Sequence, residues 1–252
     1  MSTETIDDVP LSKDGLEHYF RAYEEFIGPM REDSLSLLEL GVADGASLKH
    51  WETWLPNALI TGLDVTPSTA HFSSGRVATY QGEQQDRALL DRIGAERAPE
   101  GFDVIIDDAS HVGQLTKVSF WHLFKHHLKP GGLYFIEDWG TGYWPQYPDG
   151  KRFRARSTDF TWYEKLLTRA HAGGPSRRVP GLHRALGWLR WHSVRRRHPS
   201  HDHGMVGFVK TLIDECGIAD ATHETFGTGA PRASRFKWMR VSIGHVIICK
   251  AE

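Results

Sequence analysis

Short apolar runs alternate with amphipathic stretches from residue 35 onward. The apolar runs, each followed closely by a glycine or an acid, cover residues 35–40, 58–63, 76–80, 104–106 and 133–136. Stretches with helical spacing lie between them and cover residues 47–55, 84–93 and 112–128. Continuous apolar strands that alternate with helices are typical of a parallel sheet covered on both faces. The pattern therefore predicts an α/β fold.

The two ends of the chain extend this pattern. A helix is predicted from about Gly15, because apolar residues follow at helical spacing. Pro130, Gly131 and Gly132 are predicted to end the third helix, since none of them continues a helix well. Near the C-terminus we predict a helix over residues 205–215, followed by a pair of strands over residues 221–226 and 241–250.

The 252 residues fit one large domain better than two independent ones. We divide this domain into four parts. They are an N-terminal helical extension (1–34), a core that holds the predicted ligand and metal sites (35–138), an aromatic and basic segment (139–203), and a closing helix with strands (204–252). Within the third part, residues 160–171 suit a helix. Residues 172–203 are predicted to be irregular, with a break at residues 173–175.

The formal net charge of −2 hides a strong internal division. Residues 151–203, the basic segment, contain 13 Lys and Arg against three acids, and six of the 15 histidines. The rest of the chain carries 17 basic and 29 acidic residues. An acidic body therefore carries a basic segment suited to an anionic substrate, a nucleic acid or a membrane surface, with a solvated lid as the alternative.

Composition excludes several classes of protein. No apolar run approaches the roughly 20 residues of a membrane-spanning helix, and residues 1–13 are polar, so we expect neither a transmembrane helix nor a secretory signal. Cys216 and Cys249 are too few for a disulfide framework or a cysteine-rich zinc site. A cytoplasmic location is therefore expected.

A glycine turn follows the first predicted strand. Gly41 and Gly45, with Ser47 just beyond, lie where a ligand approaches the backbone at the carboxyl edge of such a sheet. Ala43 breaks the dinucleotide pattern G-x-G-x-x-G, and no phosphate-binding G-x-x-x-x-G-K-[ST] pattern occurs here. A pyrophosphate ligand is therefore disfavoured.

Polar residues at the ends of the next two strands suit a nucleoside. Asp64 ends the second strand, where a carboxylate can hold a ribose diol, and Gln81, Gln85 and Asp86 follow the third strand, where they suit an adenine edge. The alternative is structural: the glycines make only a tight turn, and Asp64 caps a loop.

Paired acids follow two further strands. Asp107 and Asp108 end the fourth run, and Glu137 and Asp138 end the fifth. Carboxylates that converge on one crevice repel one another unless a cation neutralises them, and oxygen ligands favour Mg²⁺, then Mn²⁺ or Ca²⁺. The four acids are therefore candidates for a cation site, and Asp107 is also a candidate for the ligand pocket. Helix capping is the open alternative for Asp107 or Asp108.

His111 lies three residues beyond Asp108, at the turn into the next helix. An imidazole suits proton abstraction near neutral pH, so His111 is the candidate general base. The alternative is a surface histidine in a histidine-rich chain.

In these residues the sequence resembles the class I S-adenosylmethionine-dependent methyltransferases over about residues 35–138. The resemblance implies a Rossmann-like, mostly parallel seven-stranded sheet with an antiparallel C-terminal strand and helices on both faces. It also implies that Gly41 and Gly45 cradle the methionine part of the cosubstrate and that Asp64 holds its ribose.

A narrower resemblance comes from three short stretches: Asp-Asp-Ala-Ser-His at 107–111, Ile-Glu-Asp-Trp at 136–139 and Gly-Tyr-Trp-Pro at 142–145. They are similar to the Mg²⁺-dependent sugar O-methyltransferases of macrolide pathways, and a polysaccharide methyltransferase of the methylmannose type is related. The resemblance implies metal ligands at Asp108, Glu137 and Asp138, and a base at His111. Trp139, Tyr143 and Trp144 are then candidate contacts for the sugar faces of the acceptor.

The predicted function is S-adenosylmethionine- and Mg²⁺-dependent O-methylation of a sugar hydroxyl on a glycoside or saccharide. Methylation of another diol or phenolic natural product, and a non-catalytic binding protein of the same fold, remain alternatives. Nucleic acid is disfavoured as a partner because the base-methylating tetrad [DNS]-P-P-[YFW] is absent. Peripheral membrane contact through the basic segment and a homodimer stay open.

Overall fold

A seven-stranded sheet forms the centre of the computed structural model, which describes residues 17–66, 68, 70–153, 162–172, 179–195 and 201–252. The strand order is β3-β2-β1-β4-β5-β7-β6, and only β7 runs antiparallel to its neighbours. The strands are β1 (Ser36–Leu40), β2 (Leu59–Asp64), β3 (Val77–Gln81), β4 (Phe102–Asp107), β5 (Leu128–Glu137), β6 (Phe236–Val241) and β7 (His245–Lys250). The predicted sheet is confirmed.

Helices connect the strands and cover both faces of the sheet. They are α1 (Glu17–Phe26), α2 (Ala46–Trp54), α3 (Arg87–Arg97), α4 (Gly113–His126), α5 (Trp162–Ala172), α6 (Pro180–Arg195), α7 (Gly204–Cys216) and α8 (Ile218–Ala221). Short 3₁₀ helices occur at Gly28–Met30, Trp139–Tyr143 and Gly150–Arg152. Within the described residues, none of the helices combines the length and apolar composition needed to cross a membrane.

The core consists of two layers separated by the sheet. On one face, Leu38 and Leu40 of β1 pack with apolar residues of α3, α4 and α7. On the other face, Leu37 packs with α1 and α2. Successive strand residues point to opposite faces, so a continuous apolar run serves both layers. The carboxyl ends of β1, β2 and β4 remain at one edge of this core.

The predicted strand over residues 221–226 is wrong. Residues up to Ala221 belong to α8, and the Nδ1 atom of His223 accepts the backbone N–H groups of Thr225 (3.1 Å) and Phe226 (3.4 Å). A side chain that bonds its own backbone in this way favours a turn over a strand. The outer partner of β7 is instead β6, and the predicted strand 241–250 is shortened to β7 by a turn containing Gly244 with φ of 84°.

Two other expectations about chain breaks require correction. The sequence around Pro130 does not end a helix: α4 already ends at His126, and residues 129–132 form part of β5, where the register with β4 shifts. The basic segment is not irregular throughout, because Pro180 begins the 16-residue helix α6, a position that proline favours. The predicted break at residues 173–175 lies outside the described residues.

Candidate active site

A cavity of about 670 Å³ opens at the carboxyl ends of β1, β2 and β4. Its walls combine the glycine turn after β1, the end of β2, the loop after β3 and the loop after β4. Five of the predicted residues line it: Gly41, Ser47, Asp64, Gln85 and Asp108. This is the edge at which ligands bind in open α/β sheets.

The glycine turn requires its glycines for steric reasons. Gly41 has φ of 84°, and a Cβ atom there would lie 2.3 Å from the carbonyl oxygen of Asp108. Gly45 has φ of 85° and precedes α2, where a Cβ atom would meet Ala70 and Ser68 at 2.7 Å. Gly41 therefore lets the loops after β1 and β4 touch, whereas Gly45 supports the turn without lining the cavity.

Asp64 joins the cavity wall to the glycine turn. Its Oδ2 atom accepts the N–H groups of Val42 and Ala43, both at 2.9 Å, and its Oδ1 atom accepts that of Thr66 at 2.9 Å. The carboxylate thus fixes the turn while facing the cavity.

Glu39 is a buried acid that sequence reasoning did not select. Ser47 donates to its Oε2 atom at 2.7 Å, and Trp51 donates from its indole nitrogen at 3.2 Å. Ser47 therefore connects the cavity wall to the end of β1. The signal in the sequence was an acid inside an otherwise apolar strand, which is costly to bury unless it is hydrogen-bonded.

The residues after β3 divide into two groups. Gln85 lines the cavity and donates to Glu83 at 2.5 Å. Gln81 donates instead to the carbonyl of Val65 at 3.2 Å, and Asp86 caps α3 by accepting the N–H of Leu89 at 3.1 Å. The structure places Gln81 and Asp86 outside the cavity wall.

Asp107 lies beneath the cavity and is only 2% exposed. Its carboxylate accepts from Gln84 at 3.1 and 3.2 Å, from Ser119 at 3.0 Å and from Tyr134 at 3.3 Å. Burial raises the pKa of Asp107 to about 6, although these hydrogen bonds oppose the shift. Because Gln84 also accepts the N–H of Ser110 at 3.1 Å, Asp107 supports the loop after β4.

Three predicted site residues meet at the ends of β4 and β5, and we call them the strand-end cluster: Asp108, His111 and Asp138. Their ligand atoms all lie within 4.8 Å of one another. The Nε2 atom of His111 lies 3.9 Å from Oδ1 of Asp108. His111 and Asp138 have φ of 52° and 51°, a conformation that is uncommon for non-glycine residues and concentrated at functional sites. The two carboxylates supply oxygen ligands that fit Mg²⁺ or Mn²⁺, and the imidazole lies beside them.

Glu137, the third predicted metal ligand, is not one of the three residues of this cluster, and its role as a ligand stays a prediction. Glu137 is 2% exposed and accepts a hydrogen bond from Tyr23, while Tyr19, one turn earlier on α1, donates to Asp138. Burial, reinforced by these carboxylates, raises the pKa of both tyrosines. The N-terminal helix thus holds both acids at the end of β5.

His245 is a further residue that sequence reasoning missed here. It pairs with Glu137 across β5 and β7, is 4% exposed, and its ring centroid lies 5.4 Å from that of Tyr19. Its position after a hairpin turn gives no local sign of this contact.

His111 is largely enclosed beside the cluster. Its side chain is 16% exposed, and its ring meets that of Tyr147 edge-on with centroids 5.8 Å apart. Burial lowers the pKa of His111, and the charge of Asp138 opposes this shift. A neutral imidazole is the form that accepts a proton or binds a metal.

The predicted aromatic contacts have different environments. Trp139 donates to the carbonyl of Ser242 at 2.8 Å and packs on the core. Tyr143 is 38% exposed and lies edge-on to Phe153, while Trp144 is 54% exposed. Trp139 is therefore anchored to the turn between β6 and β7, and Trp144 is exposed to solvent.

Comparisons with known proteins relate the chain to sugar O-methyltransferases. No family model matches the chain. It is 39% identical over 141 residues to mycinamicin VI 2''-O-methyltransferase of Micromonospora griseorubida, which covers 53% of this chain and 34% of that protein. It is 33% identical over 178 residues to an 8-demethyl-8-α-L-rhamnosyl tetracenomycin-C 2'-O-methyltransferase of Streptomyces olivaceus, covering 68% of this chain and 43% of the relative.

A solved structure extends the similarity to the fold. MycE methyltransferase of the mycinamycin pathway, in complex with Mg and SAH, aligns with a TM-score of 0.63 and 26% identity over 92% of this chain and 49% of MycE. The chain thus spans less than half the length of the relatives that it matches. It is a homologue of sugar O-methyltransferases from macrolide pathways and has the fold of class I S-adenosylmethionine-dependent methyltransferases.

Proposed function

We propose that the chain transfers the methyl group of S-adenosylmethionine to a sugar hydroxyl of a glycoside or saccharide, with Mg²⁺ at the strand-end cluster. The observation that carries this proposal is the position of Asp108, which lines the cavity and also belongs to the cluster. A cosubstrate in the cavity would thereby adjoin an ion-held acceptor.

The cavity suits the cosubstrate for three reasons. Gly41 leaves the backbone accessible, Asp64 offers a carboxylate beside the turn, and Gln85 offers a polar edge after β3. MycE, which shares this fold, was solved with SAH and Mg, and in a second complex also with mycinamycin VI. The relatives' names describe methylation at sugar positions.

In the proposed reaction, the acceptor oxygen attacks the methyl carbon as the carbon–sulfur bond breaks, and the bonding electron pair stays on sulfur as a neutral thioether. His111 takes the hydroxyl proton, which requires the neutral imidazole that burial favours. The ion, when bound, supplies Lewis acidity that lowers the pKa of the attacking hydroxyl. The residues of the fold mainly hold the two reactants in line.

Asp108, Glu137 and Asp138 would hold the ion, and His111, which lies beside Asp108 and Asp138 in the strand-end cluster, would act as the base. Tyr19 and Tyr23 keep the two acids of β5 in place through their hydroxyl groups. Trp139, Tyr143 and Trp144 would contact the acceptor, because aromatic faces suit the apolar faces of sugars.

An acceptor screen tests the function. The full chain is incubated with methyl-labelled S-adenosylmethionine and Mg²⁺, with macrolide glycosides, methylated mannosides and short oligosaccharides as acceptors. We expect label in a sugar methyl ether, and loss of labelling when a chelator removes Mg²⁺. Asp220→Asn serves as the control variant, because Asp220 lies on α8 and outside the cavity wall.

Two results would contradict the proposal. Calorimetric binding of S-adenosylmethionine without any labelled acceptor across the screen would favour a binding protein of the same fold. Labelling of simple catechols but of no sugar would favour the alternative of a phenolic acceptor.

A further inference from the structure

A second group of metal-ligating side chains lies between α3 and the end of α4. Asp91 comes from α3, His122 from α4, and His127 directly follows α4. The Nε2 atoms of both histidines lie 2.7 Å from the same oxygen, Oδ1 of Asp91. We call these three residues the interhelix cluster; their ligand atoms all lie within 4.8 Å of one another.

The fold makes room for this group in a specific way. Gly94 lies one turn after Asp91, and a Cβ atom there would lie 2.3 Å from Nδ1 of His127. The backbone of His127 is also fixed, since its N–H donates to Leu123 at 2.8 Å and its carbonyl accepts from Phe102 at 2.6 Å. A glycine inside a helix costs about 1 kcal/mol relative to alanine, so this space for the imidazole has an energetic cost.

We propose that Asp91, His122 and His127 bind a first-row transition-metal ion, with Zn²⁺ as the expected ion. Two imidazoles and one carboxylate suit Zn²⁺, Co²⁺ and Ni²⁺, whereas Mg²⁺ prefers an all-oxygen shell. Donors 2.7 Å apart subtend an angle of about 80° at an ion that lies about 2.05 Å from each. A shift of a few tenths of an ångström opens this angle toward tetrahedral geometry.

Exposure and charge agree with an ion that enters from solvent. The side chains of His122 and His127 are 12% and 15% exposed, and that of Asp91 is 56% exposed. The histidines are thus held in place, while the side of the cluster formed by Asp91 stays open to solvent. Water molecules would complete the coordination shell of a bound ion there. The carboxylate of Asp91 brings negative charge to this open side of the cluster.

The interhelix cluster is separate from the strand-end cluster. His111 precedes α4, which begins at Gly113, and His122 lies nine positions into this helix, so about 14 Å of helix rise lies between them. A bound ion would join α3, which follows the cavity residue Gln85, to α4, which follows His111. Its expected effect is to stabilise the pair of helices that carry these loops.

The test is ion binding by the metal-free full chain in excess Mg²⁺, which competes for the strand-end cluster and leaves the histidines of the interhelix cluster available. Zn²⁺ is titrated in competition with a chromophoric chelator, and Co²⁺ is followed by its visible absorption. We expect one ion per chain. His127→Gln and Asp91→Asn should each lower the affinity at least about 100-fold, because each removes a ligand.

His126→Gln is the matched control, since its ring centroid lies 5.2 Å from that of His122 but His126 is not part of the cluster. This variant should bind Zn²⁺ within about threefold of the parent. Far-UV circular dichroism and SAH binding check that each variant is folded. The proposal is overturned if the parent binds no Zn²⁺ in excess Mg²⁺, or if His126→Gln loses as much affinity as His127→Gln.

Discussion

The strand-end and interhelix clusters use the same residue types on opposite ends of α4, but the fold builds them differently. In the strand-end cluster, two residues have left-handed backbone and a carboxylate also lines a cavity. In the interhelix cluster, two imidazoles converge on one oxygen between packed helices. The first therefore suits a hard ion beside a substrate, and the second suits a borderline ion that joins helices.

This difference shows that the position of a ligand set, as well as its composition, sets its chemical role. Parallel strands end at one edge, so acids there converge where small molecules bind. Helix surfaces bring together side chains that are distant in sequence, but the interhelix cluster is absent from the cavity wall. Variants at the two places should accordingly separate turnover from ion-dependent stability.

Asp108→Asn should have the largest effect, because Asp108 belongs to both the cavity wall and the strand-end cluster. Losing several kcal/mol of charge stabilisation corresponds to a turnover loss of about 10³-fold. His122→Gln, in the interhelix cluster, should retain turnover within about twofold. Steady-state rates at saturating Mg²⁺ measure the turnover of both variants. Equal losses of turnover would contradict the different roles proposed for the two clusters.

His111→Ala should come next, with a turnover loss of about 10²- to 10⁴-fold if His111 is the base. Calorimetry should find S-adenosylmethionine binding intact, since His111 is outside the cavity wall. His111 also lies close enough to Asp108 and Asp138, with ligand atoms within 4.8 Å, to be a metal ligand instead of the base. A large rise in the Mg²⁺ concentration for half-maximal activity would identify a ligand and contradict the role of base.

Sequence patterns predicted what depends on the sheet and missed what depends on distant packing. Residues 35–40 were apolar and became β1, because burial on both faces requires a continuous run. The acids after β4 and β5 followed from the same geometry. Tyr19 contacts Asp138 across 119 positions, and no local pattern encodes that distance.

The strand predicted at 221–226 was also misplaced, and Phe226 there is 88% exposed. The interhelix cluster was missed for a similar reason, because Asp91 and His122 are 31 positions apart. Gly94 was a usable signal: a glycine within a helical stretch marks a close approach.

Gly94→Ala tests the interhelix cluster without removing a ligand. The added Cβ would lie 2.3 Å from Nδ1 of His127, so the imidazole must move and Zn²⁺ affinity should fall about tenfold. Gly181→Ala is the matched control, because nothing lies within 4 Å of its Cβ position on α6. Chelator competition measures both, and unchanged affinity in Gly94→Ala would argue against an ion held by His127.

Asp107→Asn should have the smallest effect of these variants, on the pH dependence of stability. It tests whether Asp107, unlike its neighbour Asp108, acts only by supporting the loop after β4. Folding raises the pKa of Asp107 from 3.8 to about 6, so the folded state holds this proton more tightly than the unfolded state. The stability gained is complete below the unfolded pKa and is lost as the pH rises through about 6.

Asparagine does not titrate, so the difference in unfolding free energy between the parent and Asp107→Asn should isolate this group. Between pH 5 and 7 the parent should lose about 1 kcal/mol relative to the variant. Urea unfolding with a chelator present, which removes any ion beside Asp108, measures this difference. A constant difference across the range would mean that Asp107 does not change its protonation state between pH 5 and 7. Asp107 would then support the loop after β4 without making stability depend on pH in this range.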